Sequence, residues 1–362
     1  MNAPRMAEQL LAHYDQMGRA LPWRGERDLY RIWVSEIMLQ QTGVGTVLTY
    51  YSRFLERFPD LYTLAGSTLE EVLLAWQGLG YYRRAHHLHR AAQQVVQKLS
   101  GRLPETLEQW LALPGVGVST AGAILAIGRD QPHAILDGNV KRVLARLLAF
   151  PHPLAGSAAQ KQLWAVARHL TPRHRPGDYA QAIMDLGATL CRRDHPLCAR
   201  CPWHEHCRAH RQGNEASFPV ATPRADKPHR VQVSLLVFDA RQQLLFCQRP
   251  AQGLLAGLWE PPGIEWPVAA ICEGDAARIV QQTEQRFGLQ ITSLESLPCV
   301  RHTFTHFHLQ VHPFRCRLGA PFAGGQWLAR EAWHQLPLAT LHRKILAVLE
   351  PYSAIDNACS SA

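Results

Sequence analysis

The chain has 362 residues, more than one ordinary core organises and enough for two domains. Apolar residues make up 47%, yet no apolar run approaches the ~20 residues a membrane-spanning helix needs. The net charge of +9 is unevenly placed: residues 1–228 hold 27 Lys/Arg against 19 Asp/Glu, and residues 229–362 hold 11 against 10, so only the first part has the electrostatics of a polyanion binder.

The opening MNAPRMAEQLLAHYDQ lacks the basic-then-apolar pattern of a signal peptide, so a soluble, cytoplasmic protein in a reducing compartment is expected. Apolar residues then recur at helical spacing over 6–17, 30–41, 44–57, 69–76, 84–99, 105–112, 119–128, 138–149, 158–170 and 178–190. Turn residues separate these runs, among them Gly43, Pro59, Gly66, Gly78, Gly80, Gly101, Pro114, Gly115, Gly117 and Pro132. An all-α domain over 1–210 follows, closed by a cysteine-rich loop. Residues 211–228, polar and rich in Pro and Arg, predict a linker. Beyond it VQVSLLVF and QQLLFCQ are strand-like, 275–287 is helix-like, 291–300 and 306–316 are strand candidates, and 340–350 is a final helix. These predict an α+β domain over 229–350 and a disordered tail over 351–362. Internal repeats and low-complexity segments are not evident.

Four segments carry chemistry. Glu36 stands on a helical run with Ile32, Trp33, Leu39 and Gln40 three and four positions away, mostly apolar. Such a face desolvates a carboxyl and raises its pKa, as a general acid at neutral pH requires; the alternative is an ordinary solvated Glu. In ETLEQWLALPGVGVSTAGAILAIG, Pro114, Gly115, Val116 and Gly117 turn between two helices. The glycines permit a tight turn, and the N–H groups at the second helix's start suit a phosphate; a plain αα-hairpin is the alternative. Asp137 precedes a helix in ILDGNVKRVLAR, as a cap and as a carboxylate kept ionised by the helix N-terminus. Cys191, Cys198, Cys201 and Cys207 run C-x6-C-x2-C-x5-C. Four thiolates this close suit one [4Fe–4S] cluster; structural zinc is the rival, but zinc sites usually show two C-x2-C pairs and here there is one. Nine cysteines in a long chain without a secretion signal argue against a disulfide framework.

The cysteine spacing resembles the cluster loop of the endonuclease III superfamily of DNA glycosylases. LPWR at 21–24, SEIMLQQT at 35–42, GLGYYRRA at 78–85, LPGVGVSTAGAI at 113–124, DGNVKRVLAR at 137–146, MDLGA at 184–188 and RHTFTHFHL at 301–309 resemble, in order, the adenine DNA glycosylases of the MutY type. The resemblance implies a helix-hairpin-helix glycosylase domain with a [4Fe–4S] loop and a Nudix-like C-terminal domain. It implies a monomer that acts on double-stranded DNA with 8-oxoguanine:adenine or guanine:adenine mispairs. It makes Glu36 the proton donor and Asp137 the essential aspartate, supported by Ser119 and Asn139. It puts Arg19, Trp23, Arg24 and Gln181 at the adenine, and Gln41, Thr42, Leu79 and Tyr81 at the gap and opposing base. Gly115, Val116, Gly117, Arg192 and Arg193 are implied to hold the DNA backbone. Phe304, Thr305 and His306 stand for the family's F-S-H, with Thr in place of Ser.

Endonuclease III-type enzymes carry a Schiff-base Lys where this chain has Ser119, and a hydroxyl cannot form the imine. A monofunctional enzyme is therefore expected rather than a pyrimidine glycosylase/lyase. Glu36 and Asp137 speak against the remaining alternative, a catalytically silent iron–sulfur DNA-binding protein. Gln282, Gln285 and Arg286 stand where a Nudix hydrolase has its Mg²⁺-binding acids, which implies a reading module without hydrolase activity.

Overall fold

Asn2 starts the first helix, its side chain accepting from the Arg5 amide at 3.3 Å. The computed structural model describes residues 2–222, 226–267 and 275–349, and the expected tail over 351–362 lies outside them. The chain folds into two units: Met1–Gly66 with His87–Arg224, and Ser67–His86 with Ala225–Ala362. The helical domain expected over 1–210 thus lends one internal segment to the second unit.

The first unit is helical: α1 (Ala3–Met17), α2 (Leu29–Leu39), α3 (Val44–Arg57) and α4 (Leu61–Gly66) precede the segment that belongs elsewhere. That segment carries α5 (Leu69–Ala75), held by a Thr68/Glu71 capping box, and the start of α6 (Arg83–Lys98). There follow α7 (Leu107–Leu111), α8 (Val118–Arg129), α9 (Gly138–Leu148), α10 (Ser157–Leu170), α11 (Pro176–Asp185) and the short α12 (Arg208–Arg211). Apolar stripes supply the core. On α2, Ile32, Trp33, Val34, Ile37 and Met38 are all at most 1% exposed, so only a narrow face of this helix is left for Glu36. Trp33 meets Trp110 of α7 edge-on at 5.4 Å, tying α2 to the helix before the hairpin.

The run expected as one helix over 178–190 is two. α11 ends at Asp185, and Leu186–Leu190 form a π-helical turn closed by Cys191 N–H to Leu186 C=O at 2.8 Å. Gly187 lies in this turn because a Cβ there would meet the Asn139 Cβ at 2.6 Å. The wider turn and the missing side chain let the stem of the cysteine loop press against the start of α9. Single π turns of this kind recur at functional sites. The linker also begins later than residue 211, since Arg146 of α9 donates to the carbonyls of Glu215 and Phe218 at 3.0 and 3.1 Å.

The second unit is built on a sheet of β1 (His229–Phe238), β2 (Leu244–Gln248), β3 (Trp259–Glu260), β4 (Gly263–Trp266), β5 (Ile291–Ser296), β6 (Val300–Thr303), β7 (His308–Leu318) and β8 (Gln326–Leu328), with helices α13 (Ala276–Phe287) and α14 (Thr340–Ala347). β1 and β7 pair in parallel from His229↔His308 to Phe238↔Arg317 at the centre of the order β3-β2-β1-β7-β5. Side chains alternate: Val233, Leu235 and Val237 face a core with Ile279 of α13, and Leu236 faces one with Leu341 and Ile345 of α14. The strand expected over 291–300 breaks after Ser296 and pairing resumes at Val300, both parts lying antiparallel to β7. Among the described residues no helix is long and apolar enough to cross a membrane.

Candidate active site

A cavity of about 570 Å³ opens in the helical unit, within the range of small-molecule sites. α2 supplies Glu36, the start of α9 supplies Asp137 and Asn139, the segment before α2 supplies Arg19, Trp23 and Arg24, and the cysteine loop supplies Arg192 and Arg193. Burial pushes the Glu36 carboxyl up to about 7; the Arg24 guanidinium opposes that rise and the Asp137 charge adds to it. A carboxylic acid with such a pKa is protonated in a large fraction of molecules at neutral pH and can give that proton away.

Asp137 caps α9, Oδ1 accepting from the Val140 amide at 2.7 Å and Oδ2 from Asn139 Nδ2 at 3.3 Å. The cap alone would favour the charged form, but burial outweighs it and raises the pKa, against these hydrogen bonds and the Arg142 charge. Asn139 in turn accepts from Arg142 Nη2 at 2.9 Å, and Arg142 also donates to the carbonyls of Gly187 and Cys191, each at 2.8 Å. Ser119 Oγ accepts from the Leu136 amide at 2.9 Å. It steadies the residue before Asp137 rather than lining the cavity.

Arg19 and Arg24 do not project as free charges. Both bind Asp185 Oδ1, with Nη2 distances of 2.5 and 2.6 Å, and Arg19 Nε adds a third contact at 3.0 Å. Asp185 is only 6% exposed. Its place in the string MDLGA gave it no role, because an Asp ending a helix carries no local sign of partners 161 and 166 residues away. Trp23 lines the cavity with its ring edge-on to Tyr51 at 5.3 Å. Gln181 is buried on α11, and its Oε1 has no hydrogen-bond partner. It is not among the residues that line the cavity. Thr42 lines it, whereas Gln41 is exposed and held at φ 57°.

At the hairpin, Gly115 has φ +78°, and a Cβ would lie 2.6 Å from the His87 Cβ, so glycine is required there on both grounds. Gln40 Nε2 steadies the turn by donating to Gly115 C=O at 3.3 Å and Thr120 Oγ1 at 3.2 Å. Gly117 is the N-cap of α8 and brings no side-chain cap, whereas the Val116 amide is engaged by Leu113 C=O at 3.3 Å and its side chain is buried.

The four cysteines line a second cavity with Val143, Leu147, Leu186, Leu190 and Trp203. A tetrahedral zinc with bonds of about 2.3 Å would hold thiolates about 3.8 Å apart. Among the described residues, the donors that lie within 4.8 Å of one another are those of Cys198, His210 and Glu215, not three of the cysteines. Four thiols around one largely apolar cavity are the ligand set of an iron–sulfur cluster. Burial raises Cys198 to about 11 and Cys201 to about 12, so binding must displace protons. Arg146, 2% exposed, places Nη1 3.5 Å from Cys191 Sγ and 2.5 Å from Arg192 C=O, and Nη2 2.9 Å from Arg193 C=O. The carbonyls of both expected DNA-contacting arginines are thus fixed by α9, while their side chains stay exposed.

Residues 34–168 match the HhH-GPD superfamily base excision DNA repair protein family, and residues 233–348 match a NUDIX domain. The human adenine DNA glycosylase is 37% identical over 403 aligned positions, spanning 94% of this chain and 73% of its own length. The chain belongs to the adenine DNA glycosylase family. The adenine DNA glycosylase of Buchnera aphidicola subsp. Acyrthosiphon pisum (strain APS) is 32% identical over 313 positions and 86% of each chain. Among solved structures, a thermostable thymine-DNA glycosylase aligns with TM-score 0.52 and 27% identity over 58% of this chain and 97% of its own. A non-covalent endonuclease III–DNA complex aligns with TM-score 0.50 and 19% identity over 59% and 98%, a likeness of fold. The expected architecture, a helix-hairpin-helix glycosylase fold followed by a Nudix-like domain, is therefore present, and the activity is that of a DNA N-glycosylase of base excision repair acting on adenine.

In the second unit, Phe304 N–H donates to Phe307 C=O at 2.9 Å, closing a tight turn between β6 and β7 with Thr305 and His306 exposed at its tip. Phe304 packs between His302 at 4.6 Å and Phe307 at 4.7 Å. Leu79 is 4% exposed and Tyr81 is 47% exposed at φ 49°, so Tyr81 is the one of this pair that presents its side chain.

Proposed function

We propose that this enzyme hydrolyses the N-glycosidic bond of adenine mispaired with 8-oxoguanine or guanine and leaves the DNA strand uncut. The observation that carries the reading is the pair of carboxyls on one cavity, Glu36 with a pKa of about 7 and Asp137 at the cap of α9. Adenine must leave the duplex to be reached, and the cavity has room for a flipped base. Arg19, Trp23 and Arg24 line it, and Gln181, buried on α11 outside the lining, reaches adenine only if the base enters more deeply. Glu36 protonates a ring nitrogen and so activates the base as a leaving group. The developing positive sugar is stabilised by Asp137, held by Val140 and Asn139. Water then adds, and the Glu36 carboxylate takes its proton, a division of labour that glycosidases also use. Ser119 offers no amine, so no imine forms.

Cys191, Cys198, Cys201 and Cys207 would hold a [4Fe–4S] cluster whose contribution is to fix the loop carrying Arg192 and Arg193. With the backbone N–H groups of Gly115 and Gly117 at the hairpin, and Val116 packed between them, these grip phosphate. Gln41, Thr42 and Tyr81 face the gap and the opposing base, and Leu79 supports that surface from a buried position. Residues 1–210 perform the chemistry and 229–350 read the lesion without Nudix hydrolysis, since α13 carries Gln282, Gln285 and Arg286. The enzyme works as a cytoplasmic monomer on nucleoid DNA. Because adenine is a normal base, specificity must come from its partner, and the exposed tip Thr305-His306 offers a hydroxyl and an imidazole to the C8 carbonyl and N7–H of 8-oxoguanine. Polar base contacts are worth ~1–3 kcal/mol each. Thr305→Ala with His306→Ala is expected to narrow the preference for 8-oxoguanine:adenine over guanine:adenine by roughly ten- to a hundredfold. An unchanged ratio in both that variant and a truncation at residue 228 would show that the helical unit alone reads the lesion.

A further inference from the structure

The second unit contains a clamp that neither the chemistry nor direct contact with the lesion requires. Leu338 lies between β8 and α14 and is 3% exposed. Both of its backbone polar groups are taken by the Ser67–His86 segment. Its N–H donates to Gln77 Oε1 at 2.9 Å, and its C=O accepts from the Tyr82 hydroxyl at 3.3 Å. The same hydroxyl accepts from the Gly78 amide at 3.3 Å, so Tyr82 joins the loop's first residue to Leu338. Nearby, Trp259 Nε1 donates to Glu70 Oε1 at 2.8 Å, and His86 Nε2 lies 2.9 Å from Ala256 C=O.

The clamp brackets a loop in a costly conformation. Tyr81, between the clamping residues, has a left-handed backbone and an exposed ring, and a non-glycine residue there is strained. The Arg84 guanidinium lies 5.4 Å from the ring centroids of both Tyr81 and Trp76 and donates to Gly80 C=O at 3.0 Å. Such a conformation persists only where its surroundings over-determine it, and Gln77 and Tyr82 supply that constraint at either end. On its other side, Leu338 belongs to the apolar cluster that contains Val300, Phe307 and Leu309 and against which Phe304 packs. The recognition hairpin and the clamp therefore stand on one continuous core.

We propose that Gln77 and Tyr82 are positioning residues that couple the Thr305-His306 hairpin to Tyr81, so that reading of the opposing base depends on the loop being held to Leu338. The proposal rests on the lesion-reading role given above. Gln77→Ala strands a buried N–H, and Tyr82→Phe removes the hydroxyl from Gly78 and Leu338. Each change narrows the 8-oxoguanine:adenine over guanine:adenine preference roughly three- to tenfold, the scale of one lost hydrogen bond. Single-turnover excision at saturating enzyme stays within about twofold of wild type, since neither residue touches the reacting atoms. Gln77→Glu keeps the acceptor oxygen and retains the preference, which separates the clamp from general destabilisation.

The decisive measurement is a double-mutant cycle between Gln77→Ala or Tyr82→Phe and the Thr305→Ala/His306→Ala variant. Coupling predicts that the combined loss is smaller than the product of the separate losses. Independent, multiplying effects overturn the proposal, as does a full preference in both Gln77→Ala and Tyr82→Phe. If Thr305→Ala/His306→Ala itself leaves the ratio unchanged, the lesion-reading role fails; if it narrows the ratio while the clamp variants do not, only the clamp fails.

Discussion

Glu36→Gln separates catalysis from stability within one side chain. The folded protein holds this carboxyl at about 7 against an ordinary 4.5. Between those pH values the folded state keeps a proton that the unfolded state has lost, so stability falls as pH rises through this window and levels off above 7. At 1.36 kcal/mol per pKa unit, burial of the ionisable acid destabilises the fold by about 3 kcal/mol at pH 8 and by almost nothing at pH 4. Glutamine has the same shape and no proton to lose. Denaturant unfolding at pH 8 should therefore show the variant about 3 kcal/mol more stable than wild type, the gap closing towards pH 4. Excision should fall by at least the ~10²–10⁴-fold that general acid–base catalysis contributes, while DNA binding persists. Near-normal single-turnover excision by the variant would refute the acid assignment, and a stability gap that does not grow with pH would refute the buried-acid electrostatics.

Three further outcomes follow from the site. Borohydride should trap little or no covalent enzyme–DNA adduct, because Ser119 is not an amine, and efficient trapping by the unmodified protein would overturn the monofunctional reading. Anaerobically prepared protein should absorb near ~400 nm and contain iron and labile sulfide, and stoichiometric zinc without iron would rule the cluster out. Asp185→Ala leaves Arg19 and Arg24 without the carboxylate they share and should destabilise the helical unit by roughly 3–5 kcal/mol; a loss below about 1 kcal/mol in thermal or denaturant unfolding would show that solvent already screens the pair.

Much of this was legible in the chain because it is local. Periodic runs with clear turn residues gave the larger helices within a few residues, and the β1/β7 core alternates with the two-residue period of a strand. Glu36, Asp137 and the cysteines stand out in the sequence because each sits in a string that resembles the family's, not because composition alone marks it. What escaped detection is non-local or short. Asp185, Arg142 and Arg146 act through partners distant in sequence, and an Arg inside a periodic helix looks like a solvated residue until Cys191, Gly187 and Phe218 are seen around it. The π turn after α11 brings Gly187 against Asn139, a contact that no pattern within MDLGA encodes. The two-residue β3 and three-residue β8 are too short for any period to register. The partnership of Leu338 with Gln77 and Tyr82 joins segments about 260 residues apart.

The most direct test of the central claim is base release from a duplex with one 8-oxoguanine:adenine pair, with the free base identified by chromatography and the strand examined before and after alkali. The account predicts stoichiometric free adenine from wild type, a strand that breaks only after alkali, and no release by Glu36→Gln. Release of a pyrimidine, strand scission without alkali, or adenine release that survives Glu36→Gln would contradict it.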